Sequence, residues 1–148
     1  MTNIRQKAIE GLQVGDRFVI SRTFSLQDIE QFAQLSKDHH PVHHDLPYID
    51  LKGFKGPIAH GLLTACLITE IGGQIGWLAA SMNFRFRRPV YPGEVMVCEW
   101  VITEINERGR GRAEVKIANS LGEVVLEAET TGVIPSTLER ERLKALLD

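Results

Sequence analysis

Residues 61–77 read GLLTACLITEIGGQIGW, and this stretch decides the fold. Its first two turns are apolar nearly all round, which indicates a helix buried inside the protein rather than one lying on its surface. Four segments with β-strand patterns follow, around residues 82–86, 95–105, 112–117 and 124–133. A buried helix followed by at least four antiparallel strands predicts an α+β domain whose sheet wraps around that helix.

The flanking segments complete the predicted domain. Ser25 and Asp28 form a capping-box pattern at the start of a helix that extends to about residue 36. A second capping box, Ser136 with Glu139, predicts a C-terminal surface helix over about 136–147. Residues 1–148 are therefore expected to form a single domain, with its core over about 16–134.

Two connecting segments are predicted to lack regular structure. Residues 1–15 are polar and contain two glycines, so a loose lead-in is expected before a short strand at 17–21. Pro41 disfavours helical backbone at the residue before it. We therefore expect an irregular chain from Pro41 to Pro57.

Composition narrows the class of protein. The net charge of −2 over 148 residues argues against a nucleic-acid-binding protein, which would present a strongly basic face. Cys66 and Cys98 lie in apolar segments and are expected to be small buried side chains rather than a disulfide framework. No stretch approaches a membrane span, and the first residues lack the apolar core of a signal peptide. A soluble protein of the reducing cytoplasm is the expectation.

The predicted sheet covers the helix with one of its faces only. The other face of the sheet and its edge strands are left uncovered. Pairing with a second copy satisfies such edges, and a homodimer or a higher homo-oligomer is therefore expected.

All five histidines lie between residues 37 and 61, and Asp38 with His43 is the candidate catalytic pair. A carboxylate and an imidazole held together can share one water, one accepting its proton while the other delivers a proton to the substrate. The alternative from spacing alone is that Asp38 forms a loop turn and His43 is an ordinary, partly buried histidine.

The pair His60-Gly61 opens the buried helix. A glycine in the first turn lets a substrate approach unpaired backbone N–H groups, which would polarise a carbonyl oxygen as it gains negative charge. The alternative is a plain tight turn into the helix.

Two further clusters have weaker interpretations. His39/His43 and His40/His44 have the i, i+4 spacing of helical zinc ligands, but Pro41 breaks that helix and no metal site is expected. Arg85, Arg87 and Arg88 could meet the phosphates of a carrier. They could equally form a solvated, charged strand face.

These segments together resemble a known family, the MaoC-like dehydratases of the hotdog fold, which include the (R)-specific enoyl-CoA hydratases. The resemblance covers roughly residues 24–133. It rests on four stretches: FSLQDIEQFAQLS at 24–36, DHHPVH at 38–43, GPIAHG at 56–61 and FRRPVYPGE at 86–94. The family's hydratase motif is Asp-x-Asn-Pro-hydrophobic-His, so His40 departs from the usual asparagine. Glu94 likewise stands where aspartate is usual.

The resemblance implies a hotdog domain in which Asp38 and His43 are catalytic and the Gly61 amide binds the thioester oxygen. A hydroxyl on the central helix often supports the site in relatives, and Thr69 is the candidate here. The implied reaction is reversible hydration of a trans-2-enoyl thioester to the (R)-3-hydroxyacyl thioester. It needs no cofactor or metal, since coenzyme A or acyl-carrier-protein (ACP) pantetheine is part of the substrate. The rival readings are a hotdog acyl-CoA thioesterase and a non-catalytic acyl-CoA-binding or sensing module.

Overall fold

A computed structural model describes residues 3–147 of the chain. The helices are α1 (Asn3–Glu10), α2 (Leu26–Ser36), α3 (Leu46–Lys52), α4 (Gly61–Thr64), α5 (Cys66–Ile75) and α6 (Thr137–Ala145), with a 3₁₀ turn at Pro41–His43. The strands are β1 (Arg17–Thr23), β2 (Leu78–Phe86), β3 (Val95–Ile105), β4 (Arg110–Ala118) and β5 (Val124–Val133).

The five strands form one antiparallel sheet in the order β1-β3-β4-β5-β2. Tight turns after residues 105 and 118 connect β3 to β4 and β4 to β5. Strands β1 and β2 are the two edges. The predicted antiparallel sheet is thereby confirmed.

The inner face of the sheet packs on α5, which follows α4 through Ala65 in helical backbone. Along β3, alternate side chains from Met96 to Ile102 are fully buried, as alternation in a half-buried strand requires. They meet the apolar face of α5, of which Ile68 and Ile71 have no exposed surface. The buried helix and the wrapping sheet are therefore as predicted.

Both predicted capping boxes are present. Ser25 Oγ accepts the N–H of Asp28 and the Asp28 carboxylate accepts the N–H of Ser25 at the start of α2. Ser136 and Glu139 make the same exchange at the start of α6. Reciprocal bonds of this kind satisfy two N–H groups that a helix leaves free.

The N-terminal segment is not the predicted loose lead-in, because residues 3–10 form α1; Met1 and Thr2 lie outside the described residues. Ala8 is completely buried against the core. Arg5 donates to the carbonyl of Gly73 at 3.1 Å, and Arg140 on α6 donates to the carbonyl of Ile9 at 2.9 Å. The helix is held by tertiary contacts, which its polar composition does not reveal.

The segment from Pro41 to Pro57 is also more regular than predicted. Asp45 caps α3 by accepting the N–H of Tyr48 at 3.0 Å, and Ile49 is buried. Pro47 stands in the first turn of α3, where a missing N–H costs nothing. The prolines therefore begin short helical turns here instead of preventing them.

The two cysteines differ in their surroundings. Cys98 is buried as predicted, and burial raises the pKa of its thiol to about 12. Cys66 is only half-buried, which corrects the prediction for that residue. No helix within residues 3–147 is long and apolar enough to cross a membrane.

Candidate active site

Asp38 is held at the point where α2 ends. Lys37 adopts left-handed backbone (φ 65°) and turns the chain out of the helix. The N–H of Asp38 then donates to Ser36 Oγ at 3.1 Å. The Asp38 carbonyl lies 3.1 Å from Nε2 of His60, which donates to it. The backbone of Asp38 is therefore fixed on both sides, while its carboxylate stays half-exposed.

The 3₁₀ turn at Pro41–His43 fixes His43. Its Nδ1 lies 2.7 Å from the carbonyl of Ile58. A carbonyl can only accept a hydrogen bond, so Nδ1 carries the proton and Nε2 of the neutral ring presents a lone pair. That Nε2 lies 3.9 Å from Oδ2 of Asp38. The separation is too long for a direct hydrogen bond and short enough for one water to bond both atoms.

The protonation states of the two groups follow from their surroundings. The backbone N–H of His40, which donates to Asp38 Oδ1 at 3.1 Å, lowers the pKa of the carboxyl. Burial lowers the pKa of His43, and the neighbouring His60 adds to this effect. The contact with Ile58 and the charge of Asp38 oppose it without reversing it. At neutral pH the site therefore holds an ionised carboxylate beside a neutral imidazole.

His60 and Gly61 border the same place. The His60 ring is only 2% exposed and stacks on His43 with ring centroids 3.6 Å apart. Gly61 is the first residue of α4, so its N–H has no acceptor within the helix. A Cβ at Gly61 would lie 2.5 Å from Cε1 of Phe86, so only glycine allows that ring to pack against the backbone.

A cavity of about 590 Å³ opens at these residues, a volume in the range of small-molecule sites. Asp38, His60 and Gly61 contribute to its wall. His43 does not line it but lies next to two residues that do, 3.9 Å from the Asp38 carboxylate and stacked on His60. The remaining wall is mostly apolar, with Phe32, Phe54, Ile58, Leu62, Val90 and Leu126 among its residues. This arrangement has room for an apolar chain beside a polar, ionisable corner.

The helix hydroxyl at the cavity is Thr64, not Thr69. Thr69 is exposed and donates to the carbonyl of Cys66 at 2.8 Å, away from the cavity. Thr64 lines the cavity, is 2% exposed, and its Oγ1 has no hydrogen-bond partner among residues 3–147. Thr64 follows Gly61 by three positions and so shares its helix face, a periodicity that could have identified it.

The three arginines fall into two groups. Arg87 and Arg88 line the cavity. Arg87 pairs with Glu127 at 3.0 Å and Arg88 with Glu123 at 3.2 Å, and neither glutamate belongs to the cavity wall. Arg85 lies in a charged groove of the sheet instead, together with Glu127. Each of the two cavity arginines already contacts a carboxylate, which a phosphate would have to replace or share. Phosphate binding by these arginines stays a prediction.

The two positions that depart from the family motif both make turn contacts. His40 Nδ1 accepts the N–H of Val42 at 3.0 Å and thereby caps the 3₁₀ turn. Glu94 Oε1 accepts the N–H of Tyr91 at 2.8 Å. Each is a side-chain acceptor for a local backbone donor, the role that asparagine and aspartate commonly fill in turns.

A metal ion is the other possible occupant. The histidine pairs four apart in sequence do not form the compact group; that group is Asp38, His43 and His60, with one ligand atom from each within 4.8 Å of the others. A metal lies in the plane of each imidazole that binds it, at about 2.0–2.1 Å for zinc. Because the His43 and His60 rings are stacked at only 25° to each other, they cannot both point in-plane at one ion. This arrangement fits a shared water better.

Comparisons with known proteins identify the family of this chain. Residues 13–125 match the model of the MaoC like domain. The chain is 30% identical over 102 residues to the (R)-specific enoyl-CoA hydratase of Aeromonas caviae, covering 66% of this chain and 76% of that protein. It is 30% identical over 148 residues to the 3-hydroxybutyryl-CoA dehydratase of Methylorubrum extorquens, covering 97% and 94%.

A solved structure shares the architecture. The R-hydratase PhaJ1 of Pseudomonas aeruginosa superimposes with a TM-score of 0.79 at 29% identity, covering 86% of this chain and 85% of that one. The sheet and its central helix thus have the arrangement of a hotdog R-hydratase. The family match spans most of the chain, and the predicted resemblance is confirmed: this protein belongs to the MaoC-like family of hotdog-fold proteins.

Proposed function

We propose that this protein is an (R)-specific hydro-lyase that interconverts trans-2-enoyl thioesters and (R)-3-hydroxyacyl thioesters. One observation carries the proposal: Asp38 Oδ2 and His43 Nε2 lie 3.9 Å apart, with the carboxylate at a cavity that also contains Gly61. The hydratases and dehydratases among the relatives support the same reaction class.

The thioester carbonyl would accept a hydrogen bond from the Gly61 N–H. Negative charge gathers on this oxygen as water attacks the β-carbon and an enolate develops. A fixed donor in an apolar cavity stabilises that charge more than it stabilises the neutral carbonyl, which is how such a donor lowers a barrier. Coenzyme A or ACP pantetheine enters as part of the substrate, and the proposal requires no separate cofactor.

Asp38 and His43 would hold the attacking water between them. As its oxygen bonds to the β-carbon, the water gives one proton to the pair, and the pair returns one proton to the α-carbon. The product keeps the water's hydroxyl at the β-carbon and gains one hydrogen at the α-carbon, so the atoms balance. Because one water on one side of the double bond serves both carbons, the addition is syn.

A direct assay separates this function from its rivals. With crotonyl-CoA we expect loss of the enoyl-thioester absorbance, formation of 3-hydroxybutyryl-CoA, and no free thiol. Thiol release from crotonyl-CoA and from butyryl-CoA, which has no double bond, would identify a thioesterase instead. Thermal stabilisation by acyl-CoA with neither reaction would identify a binding module.

Thr64→Val is expected to lower kcat/KM for hydration roughly tenfold, the factor that corresponds to one neutral hydrogen bond. Thr64 lines the cavity, and its buried hydroxyl has no hydrogen-bond partner among residues 3–147, so its hydrogen-bonding capacity is left for the substrate or the water once they bind. Valine keeps the shape and removes the donor. Thr69→Val, on the exposed side of α5, is the matched control and should leave the rate unchanged. Equal rates for both variants and the wild type would remove Thr64 from the site.

The proposed assembly is a homodimer that uses the edge strand β2. This strand pairs with β5 alone, and its other edge leaves backbone groups free to pair with a second copy. Leu78 and Phe86 at its two ends are 73% and 55% exposed in the single chain. We expect light scattering at assay concentrations to give the mass of two chains or a multiple of it. The mass of one chain, with full activity, would contradict this assembly.

A further inference from the structure

His40 connects the two proposed catalytic residues through three separate contacts. Its N–H donates to Asp38 Oδ1 at 3.1 Å. Its carbonyl accepts the N–H of His43 at 3.0 Å. Its ring Nδ1 accepts the N–H of Val42 at 3.0 Å and so caps the turn that carries His43. The backbone of this one residue thus touches both members of the pair, and its ring decides whether the turn is capped.

We propose that His40 is a positioning residue whose neutral ring holds Asp38 and His43 in register, so that protonation of His40 uncouples the pair. The inference rests on the proposed function, and it makes the rate of that reaction depend on pH through His40. An imidazole nitrogen accepts a hydrogen bond only while it carries no proton. Asparagine, the usual residue here in the family motif, would cap the turn at any pH.

The His40 ring contacts two other aromatic rings and is accessible to solvent. The ring packs edge-on against Tyr48 of α3, with centroids 5.4 Å apart, and against His43 at 6.0 Å. The Asp38 carboxylate, which accepts the His40 N–H, is a negative charge close to the ring. His40 is exposed, so solvent reaches it. Histidine is the side chain that ordinarily changes charge between about pH 5 and 8.

Loss of the cap affects the geometry of the pair rather than substrate binding. Once Nδ1 is protonated, it can no longer accept the N–H of Val42, and two donors face each other. The turn must open or the ring must rotate. His43 then moves relative to Asp38, whereas the apolar wall and Gly61 stay in place. The expected signature is a fall in kcat with little change in KM.

The test compares His40→Asn and His40→Ala with the wild type in hydration of crotonyl-CoA. At about pH 8, where histidine is neutral, His40→Asn should match the wild type. His40→Ala should lose roughly fivefold in kcat, the factor for one typical cap. On acidification the asparagine variant should become faster than the wild type, by up to about fivefold, because only its cap survives protonation of the ring it replaces. Its acid limb, left to His43 alone, should be shallower and lie at lower pH.

His39→Asn is the matched control, because it makes the same change at the neighbouring exposed histidine and leaves the cap. It should keep the wild-type pH profile. A profile for His40→Asn identical to that of the wild type, or an equal shift in His39→Asn, would overturn the proposal.

A second readout does not depend on turnover. The protection factor of the Val42 amide, which compares its exchange rate with the intrinsic rate at the same pH, should fall on acidification from about pH 8 in the wild type. In His40→Asn it should stay constant. Should the protein prove inactive on enoyl thioesters, the proposed function fails while this experiment still decides the cap. A constant protection factor on acidification in the wild type would refute the role of His40 even in an active enzyme.

Discussion

Asp38→Asn is expected to reduce kcat/KM for crotonyl-CoA hydration by roughly 10³–10⁴-fold, at the upper end of the contribution of a general acid–base group. An amide cannot take a proton from water at neutral pH, whereas the Asp38 pKa is lowered by the His40 N–H and the carboxylate is ionised. The variant should fold normally, because the asparagine oxygen can still accept the His40 N–H that the carboxylate accepts.

Asp45→Asn provides the matched control for this change. Asp45 belongs to the same loop and accepts the N–H of Tyr48, a cap that asparagine replaces well. It should keep near wild-type activity and the same thermal midpoint. A rate for Asp38→Asn within about tenfold of the wild type would remove Asp38 from the chemistry.

Gly61→Ala is expected to reduce kcat/KM by roughly 10²–10³-fold, the usual loss of one oxyanion donor. The new Cβ would lie 2.5 Å from Cε1 and 2.8 Å from Cδ1 of Phe86. Contacts so short force the ring to move, and it is the ring that borders the carbonyl site. The methyl group also keeps a substrate away from the Gly61 amide. Steady-state kinetics with a melting curve would measure both consequences.

Two further variants separate the lost donor from the steric clash. Gly56→Ala has no atom within 4 Å of the added Cβ and should behave as the wild type. Gly61→Ala combined with Phe86→Ala removes the clash, so it should regain thermal stability without regaining activity. Full recovery of activity in the double variant would show that the Phe86 clash, and not the amide, explains the loss.

The fold was largely readable because its periodicities are strong. Strand β3 occupies 95–105 as predicted, since its alternate side chains face the core. The capping boxes of α2 and α6 mark their first residues by local chemistry alone. Helix α1 was not predicted because tertiary contacts stabilise it: Ala8 is buried in the core, and Arg5 donates to the carbonyl of Gly73. Such contacts leave no local pattern.

The site was predictable in part. Asp38 and His43 lie together as the motif around Pro41 suggested. The stacking of His43 on His60 was not foreseen, because these residues are joined only through the folding of the 44–59 segment. Thr69 is the wrong helix hydroxyl because it lies on the exposed side of α5, whereas Thr64 shares the face of Gly61. The sequence does not predict the cap made by His40, because a histidine ring can accept a hydrogen bond, donate one or do neither.

The stereochemical course of hydration in deuterated water tests most directly whether one water serves both carbons. With crotonyl-CoA in ²H₂O, we expect (R)-3-hydroxybutyryl-CoA with a single deuterium at the α-carbon, on the face to which the hydroxyl has added. Proton NMR of the product reports both positions. Anti addition, or a mixture of faces at the α-carbon, would contradict a carboxylate and an imidazole acting on one shared water.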